Sequence, residues 1–253
     1  MSVCSQLWSQ TWGFANTTNR IVSFETKENA FQGSCFEQGP LSFPIEKEGL
    51  TINTPDNILY RAASVWKKLT EYRYVLTYGY KKDLYPINLT FSMGDFHHLA
   101  GFQYLRDISL PKAYYRKTVE LILNQKIKYE QVIKGVYYEE KVKPRLEALA
   151  RFEEILNNEF LFFTYRADLY PFYTNIKADY LISSHLGDIS YVFIIKDSAG
   201  AEMKCDYLCC STFTKDKRDY EINQQRRTLL KKERVHIPTN TTTILYDKLG
   251  ASE

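Results

Sequence analysis

The sequence predicts an α+β protein: a β-hairpin and helices fill the N-terminal and middle parts, followed by an antiparallel four-stranded sheet and a C-terminal helix. Three observations carry that expectation. Hydrophobic residues make up 44% of the 253 residues against 25% charged, a balance that supports a packed core rather than disorder. Up to Asn157 most apolar residues recur at helical spacing, whereas beyond it the runs are short, β-branched and aromatic. Neither a repeat nor a Pro- or Gly-rich linker divides the chain, so residues 1–253 are expected to form a single domain.

The elements follow in order. Gly33, Gly39, Pro40, Pro44 and Pro55 interrupt any long period near the start, which reads as short strands and loops. Thr54 is the expected N-cap of an amphipathic helix over residues 55–69. Residues 72–78 and 87–91 alternate and read as a hairpin whose turn falls between Gly79 and Pro86. Asp95 caps an expected helix over 96–108, and 112–125 and 138–157 read as two more, Pro144 marking where the last one properly begins. Residues 160–165, 176–182, 191–196 and 203–213 then form the predicted meander, separated by turn signals such as Leu186-Gly187-Asp188. A helix over 219–232 and a loosely specified, Thr-rich tail complete the expectation.

Charge is unevenly spread. The whole chain carries +3, but 215–234 holds eight basic and four acidic residues, which leaves the remainder slightly acidic. Such a segment suits a polyanion or, more plainly, a solvated face. Aromatic residues reach 15%, with 20 Tyr and 15 Phe, enough to fill a core and to stack on bases. Five cysteines, two of them adjacent, give neither a disulfide framework nor a CxxC metal spacing, and a reducing compartment fits them. With no basic residue before Arg20 and no long apolar run, the expected location is the cytoplasm, away from any membrane. A GxxxxGKS loop, a Rossmann fingerprint, a GxSxG elbow and a carboxylate cluster for Mg²⁺ are all missing from the sequence, so neither a cofactor nor a metal is expected.

Two constellations could carry chemistry. In Asp95-Phe96-His97-His98-Leu99-Ala100-Gly101-Phe102, helical spacing puts His98 with Phe102 and Leu105, and His97 with Gly101 and Tyr104 on the neighbouring face. One histidine therefore points inward, and a histidine, with its pKa near neutrality and aromatic neighbours to shield it from bulk water, can serve as an acid or base. The second constellation joins Ser211-Thr212-Phe213 to the basic segment. On a helix Tyr220, Gln224, Arg227 and Lys231 would share one face, a stripe able to neutralise and hydrogen-bond a phosphodiester.

These residues resemble the phage-associated branch of the barnase, EndoU, colicin E5/D and RelE nucleases called PBECR4. Phe96-His97-His98-Leu99-Ala100-Gly101-Phe102 is similar to its F-x-H-L-x-G element, Ala178-Asp179-Tyr180-Leu181-Ile182 to its A-D-Y-L-I strand, and Ser211, Phe213, Tyr220 and Gln224 to its S-x-F and Y-x-x-x-Q elements. The resemblance spans residues 70–234 and leaves 1–69 as an N-terminal extension. It implies a helical part, an antiparallel sheet and metal-independent RNase activity in conflicts between phages, mobile elements and bacteria.

The expected function is thus an RNA endonuclease in which a 2′-hydroxyl attacks the adjacent phosphate. His98 would move the proton, Arg227 would stabilise charge, and Ser211, Tyr220 and Gln224 would orient the phosphate. Lys215, Lys217, Arg226 and Lys231 would bind the rest of the RNA, with tRNA among the candidate substrates. A host or immunity protein is a further candidate partner. The competing expectation is a non-catalytic module, antitoxin-like or anti-defence, that binds nucleic acid or a host protein. Burial of His98 separates the two, and the catalytic reading requires His98 and Arg227 to converge on one hollow.

Overall fold

Asn57 opens the first helix, α1 (Ile58–Leu69), by accepting a hydrogen bond from the Tyr60 N–H at 2.9 Å. The computed structural model describes residues 57–111, 115–198 and 206–250. Thr54, the expected cap, and the strands and loops expected before it lie outside the described residues. Leu59, Ala62, Ala63, Trp66 and Leu69 recur along one face of α1 and are buried, so the helix docks on the main core. The Trp66 indole anchors it, donating to the Ser92 carbonyl at 2.9 Å and packing edge-on against Phe91 and Phe152.

The chain then turns into strands β1 (Tyr72–Tyr80) and β2 (Asp83–Thr90), which pair antiparallel. Their turn is tighter than the sequence suggested: Lys81 (φ 50°) and Lys82 (φ 72°) close it in two residues, both left-handed, matching the strand twist. The helix expected over 96–108 is broken. A short helix α2 (Asp95–Leu99) stops because Gly101 adopts φ 80°, and a single 3₁₀ turn, Phe102–Tyr104, follows. Helices α3 (Thr118–Leu123), α4 (Tyr129–Val132), α5 (Lys143–Ala150) and α6 (Phe152–Asn157) continue the layer, with Pro144 in the first turn of α5.

Strands β3 (Leu161–Thr164), β4 (Tyr180–Ser184), β5 (Ser190–Lys196) and β6 (Asp206–Thr214) form an antiparallel meander. That meander is not the whole sheet. The segment expected as a C-terminal helix is instead a turn followed by the long strand β7 (Gln225–His236), and the Thr-rich tail forms its hairpin partner, β8 (Thr241–Asp247). One edge of β7 pairs with β1 and the other with β3, while β6 pairs with β2 in parallel. The ring β1-β2-β6-β5-β4-β3-β7 therefore closes on itself as a mixed seven-stranded barrel, with β8 added outside it. The expected four-stranded sheet with a C-terminal helix is thus corrected. A three-to-four-residue period in 219–232 fits a helix locally, but the free edges of β1 and β3 offer ladder hydrogen bonds that only strand geometry satisfies.

The aromatic content divides between two cores. One lies between the strands and helices around Trp66, Tyr74, Phe96 and Phe152. The other gathers Phe163, Tyr165, Leu181, Tyr191, Phe193 and Tyr220 on the opposite face of the meander. No helix of the described residues is long and apolar enough to cross a membrane.

Candidate functional site

Helix α2 sorts its two histidines by depth. Phe96 and Leu99 bury themselves as anchors, one helical turn apart. His97, half-buried, bonds through Nδ1 to Thr118 Oγ1 at 3.0 Å and packs on Phe102, so it is the inward, structural imidazole. His98 is exposed at the surface beside strand β6. Although its outer edge meets solvent, crowding by protein pulls its pKa below the usual histidine value, the nearby Arg145 cation adds to this, and a hydrogen bond with the Cys210 backbone opposes it. Burial likewise lowers His97, with His98 as the second cause. At neutral pH His98 is therefore a neutral imidazole, the form a general base requires.

Arg145 is the residue that sequence reasoning missed. It rises from the first turn of α5, half-buried, between the rings of Tyr104 and Phe213, each with its centroid 5.9 Å from the guanidinium carbon. Its Nη1 reaches Ser211 Oγ and the Leu99 carbonyl, both at 3.5 Å. Those contacts are long, so a bound anion could replace them with better ones. No carboxylate of the described residues forms an ion pair with Arg145. Burial pushes its pKa down, and the Tyr104 hydroxyl is foremost among the groups that offset this. Gly101 makes the arrangement possible, because a Cβ there would sit 3.0 Å from Arg145 Cδ and 3.0 Å from the Lys141 carbonyl oxygen. That glycine, three residues after His98, was the one sequence signal of a close approach.

The other predicted residues distribute as follows. Ser211, buried at 7% exposed, lies on β6 within reach of Arg145 and next to Cys210, whose backbone bonds His98. Tyr220 is a core aromatic, its ring edge-on to Phe193, Phe213 and Tyr191, and its hydroxyl bonds Arg218. It lies close enough to Arg145 to influence its charge. Gln224 spans the Arg166 backbone with both ends of its amide, accepting at 2.7 Å and donating at 3.1 Å, which ties the turn before β7 to the end of β3. Arg227 sits on β7, its guanidinium on Thr164 Oγ1 at 2.7 Å and 4.1 Å above the Tyr80 ring. Round the ring, β6 is separated from β7 by β5, β4 and β3 one way and by β2 and β1 the other. His98 and Arg227 therefore do not converge, so the catalytic reading in the form that rested on Arg227 fails, and the four-residue stripe drawn on a helix does not exist because Tyr220 and Gln224 lie in a turn and Arg227 and Lys231 on an extended strand. Among the predicted RNA contacts, Lys215 pairs with Asp219 and Lys231 with Glu233, while Lys217 and Arg226 are exposed. Among the described residues no three His, Cys, Asp or Glu side chains group as a metal site would require.

A guanidinium with no ion pair among the described residues, an imidazole beside it and a hydroxyl within its reach lie on a closed, mixed seven-stranded ring flanked by helices, which makes this an α+β barrel protein. The family profile described as phage-Barnase-EndoU-ColicinE5/D-RelE like nuclease4, PBECR4, matches residues 58–249, and the chain belongs to this nuclease-like family. The match takes in α1 and β8, at either end of the described fold. No curated protein and no solved structure gives a significant match to the chain.

Proposed function

We propose that the protein is a metal-independent RNA endonuclease whose site is centred on His98 and Arg145. The observation that carries this reading is the half-buried Arg145 charge, unpaired with any carboxylate of the described residues and facing His98 and Ser211. A cation held in that state is an anchor for a phosphodiester, since a phosphate restores the Coulomb partner that burial makes valuable.

In the proposed reaction His98 accepts the proton of a ribose 2′-hydroxyl as its oxygen attacks phosphorus. The bond to the 5′-oxygen breaks, that oxygen takes a proton from water at the open edge of the site, and a 2′,3′-cyclic phosphate remains. Arg145 neutralises charge on the non-bridging oxygens, taking the part expected of Arg227. Ser211 donates to the same oxygens. Tyr220 acts through its surroundings as a positioning residue by packing under Phe213, whereas Gln224 serves stability by tying the turn before β7 to the end of β3. Lys217, exposed near the site-bearing strand β6, supports a path for the RNA beyond the cleaved bond. The reference to phage in the family description supports a role in conflict between phages or mobile elements and bacteria. A cytoplasmic location suits an RNA substrate and the buried free thiol of Cys209.

The test uses the purified chain with tRNA or total RNA in EDTA. Cleavage that leaves cyclic-phosphate ends, lowered about 10²-fold or more by His98→Ala and by Arg145→Ala in folded protein, supports the reading. RNA left intact by the wild type, or cut equally fast by both variants, overturns it.

A further inference from the structure

Across the ring from His98, strand β7 changes neighbours along one edge. Residues Gln225 to Arg227 pair with β3 and Lys231 to His236 with β8, so Thr228 and Leu229 pair with neither. A cavity of about 730 Å³ opens along this gap. A volume of several hundred Å³ is that of a small-molecule site.

The lining is strongly cationic. Arg226, Arg227, Lys232 and Lys248 face the cavity together with His185, and Glu159 is the one carboxylate among the lining residues. Glu221 lies just behind, holding the His185 ring at 2.7 Å. None of the four Arg and Lys side chains makes an ion pair with a carboxylate of the described residues. Lys232 is the most telling of them. It is 2% exposed, donates to the Asn158 carbonyl and lies 4.6 Å above the Phe160 ring. Burial pulls its pKa down to about 8, Glu159 offsetting only part of this. Like charges gathered around one carboxylate repel one another, and an anionic ligand would offset both that repulsion and the cost of burying the Lys232 ammonium.

We propose that this cavity binds a nucleoside phosphate, with the phosphate among Arg226, Lys232 and Lys248 and the base against the rings of Phe160 and Tyr246. The Arg226 guanidinium and the two ammonium groups suit the phosphate oxygens, and aromatic faces accept any base by stacking. The site is distinct from the His98 site and does not depend on cleavage there. The ligand is either a free nucleotide or one residue of an RNA strand, two sources with the same chemistry.

Equilibrium dialysis of the full chain distinguishes them, with adenosine 5′-monophosphate as one probe and a 2′-O-methyl RNA oligonucleotide, which cannot be cut through its own hydroxyl, as the other. Arg226 and Lys248 are exposed, so Arg226→Ala and Lys248→Ala preserve the fold. Saturable binding of the mononucleotide, weakened about tenfold by either substitution and unmoved by Arg145→Ala, is the expected result for a free nucleotide. Binding of the oligonucleotide alone, with the same dependence on Arg226 and Lys248, assigns the cavity to the strand. Failure of both probes to bind, or binding indifferent to both substitutions, overturns the proposal, as does mononucleotide binding that depends on Arg145 instead.

Discussion

Replacing Gly101 with Ala tests whether the backbone break after His98 is what lets Arg145 into the site. The residue sits at φ 80° and ψ 19°, where an L-residue carries strain of about 1–2 kcal/mol. The added methyl would also meet the Lys141 carbonyl oxygen and Arg145 Cδ, each at 3.0 Å. The carbonyl belongs to the π-helical turn Tyr138–Val142 and moves only if that turn moves, so crowding adds about 1 kcal/mol. The total, about 2–3 kcal/mol, corresponds to roughly 4–12 °C in Tm for a domain of this size. Arg145 is the softer of the two neighbours, and its displacement breaks the reach to Ser211. Urea unfolding should show a lower midpoint at unchanged slope, and RNA cleavage by the folded fraction should fall as well. A Gly101→Ala protein with the wild-type midpoint and wild-type cleavage would refute the reasoning.

Three further outcomes are expected. Trp66→Ala removes a fully buried indole and strands the Ser92 carbonyl, at a cost of about 3–5 kcal/mol by denaturant unfolding; a loss under 1 kcal/mol would mean that α1 is not held in the main core. Gln224→Ala should cost about 1–2 kcal/mol in stability while cleavage per folded molecule stays put, and the reverse pattern would return Gln224 to the reacting groups. For pH, burial lowers the folded pKa of both His97 and His98 beneath the ordinary 6.5, so the unfolded chain binds more protons in the window below that value. Stability should rise with pH through that window and level off above it. A His97→Gln/His98→Gln variant should lose this part of the rise, and thermal melts of equal steepness in pH for both proteins would count against the assignment.

Much of the local structure was legible before folding was considered. The alternation in 72–78 and 87–91 marked the hairpin, and the four runs after Asn157 marked the meander, because side-chain period is a property of neighbouring residues. Phe96, His98, Gly101 and Ser211 stood out for the same reason, each within a short distinctive motif. Arg145 did not: nothing near Pro144 separates it from the other cations of a solvated helix, and its meaning comes from Tyr104, Phe213 and Ser211, which are distant in the chain. Gln224 shows the opposite case. Its place in a motif suggested phosphate binding, yet its amide is used up by the Arg166 backbone.

The sequence by itself determined where the hairpin over 72–91 and the β-rich runs after Asn157 lie, and that two adjacent histidines on a short helix must face different surroundings. Only the tertiary structure decided that 225–236 is a strand, that the sheet closes into a ring, and that the cation beside His98 is Arg145 while Arg227 lies across the barrel. The reason is physical. A backbone edge is satisfied by whichever partner strand reaches it, and a buried charge is defined by what surrounds it, and both are set by contacts between residues far apart in the chain.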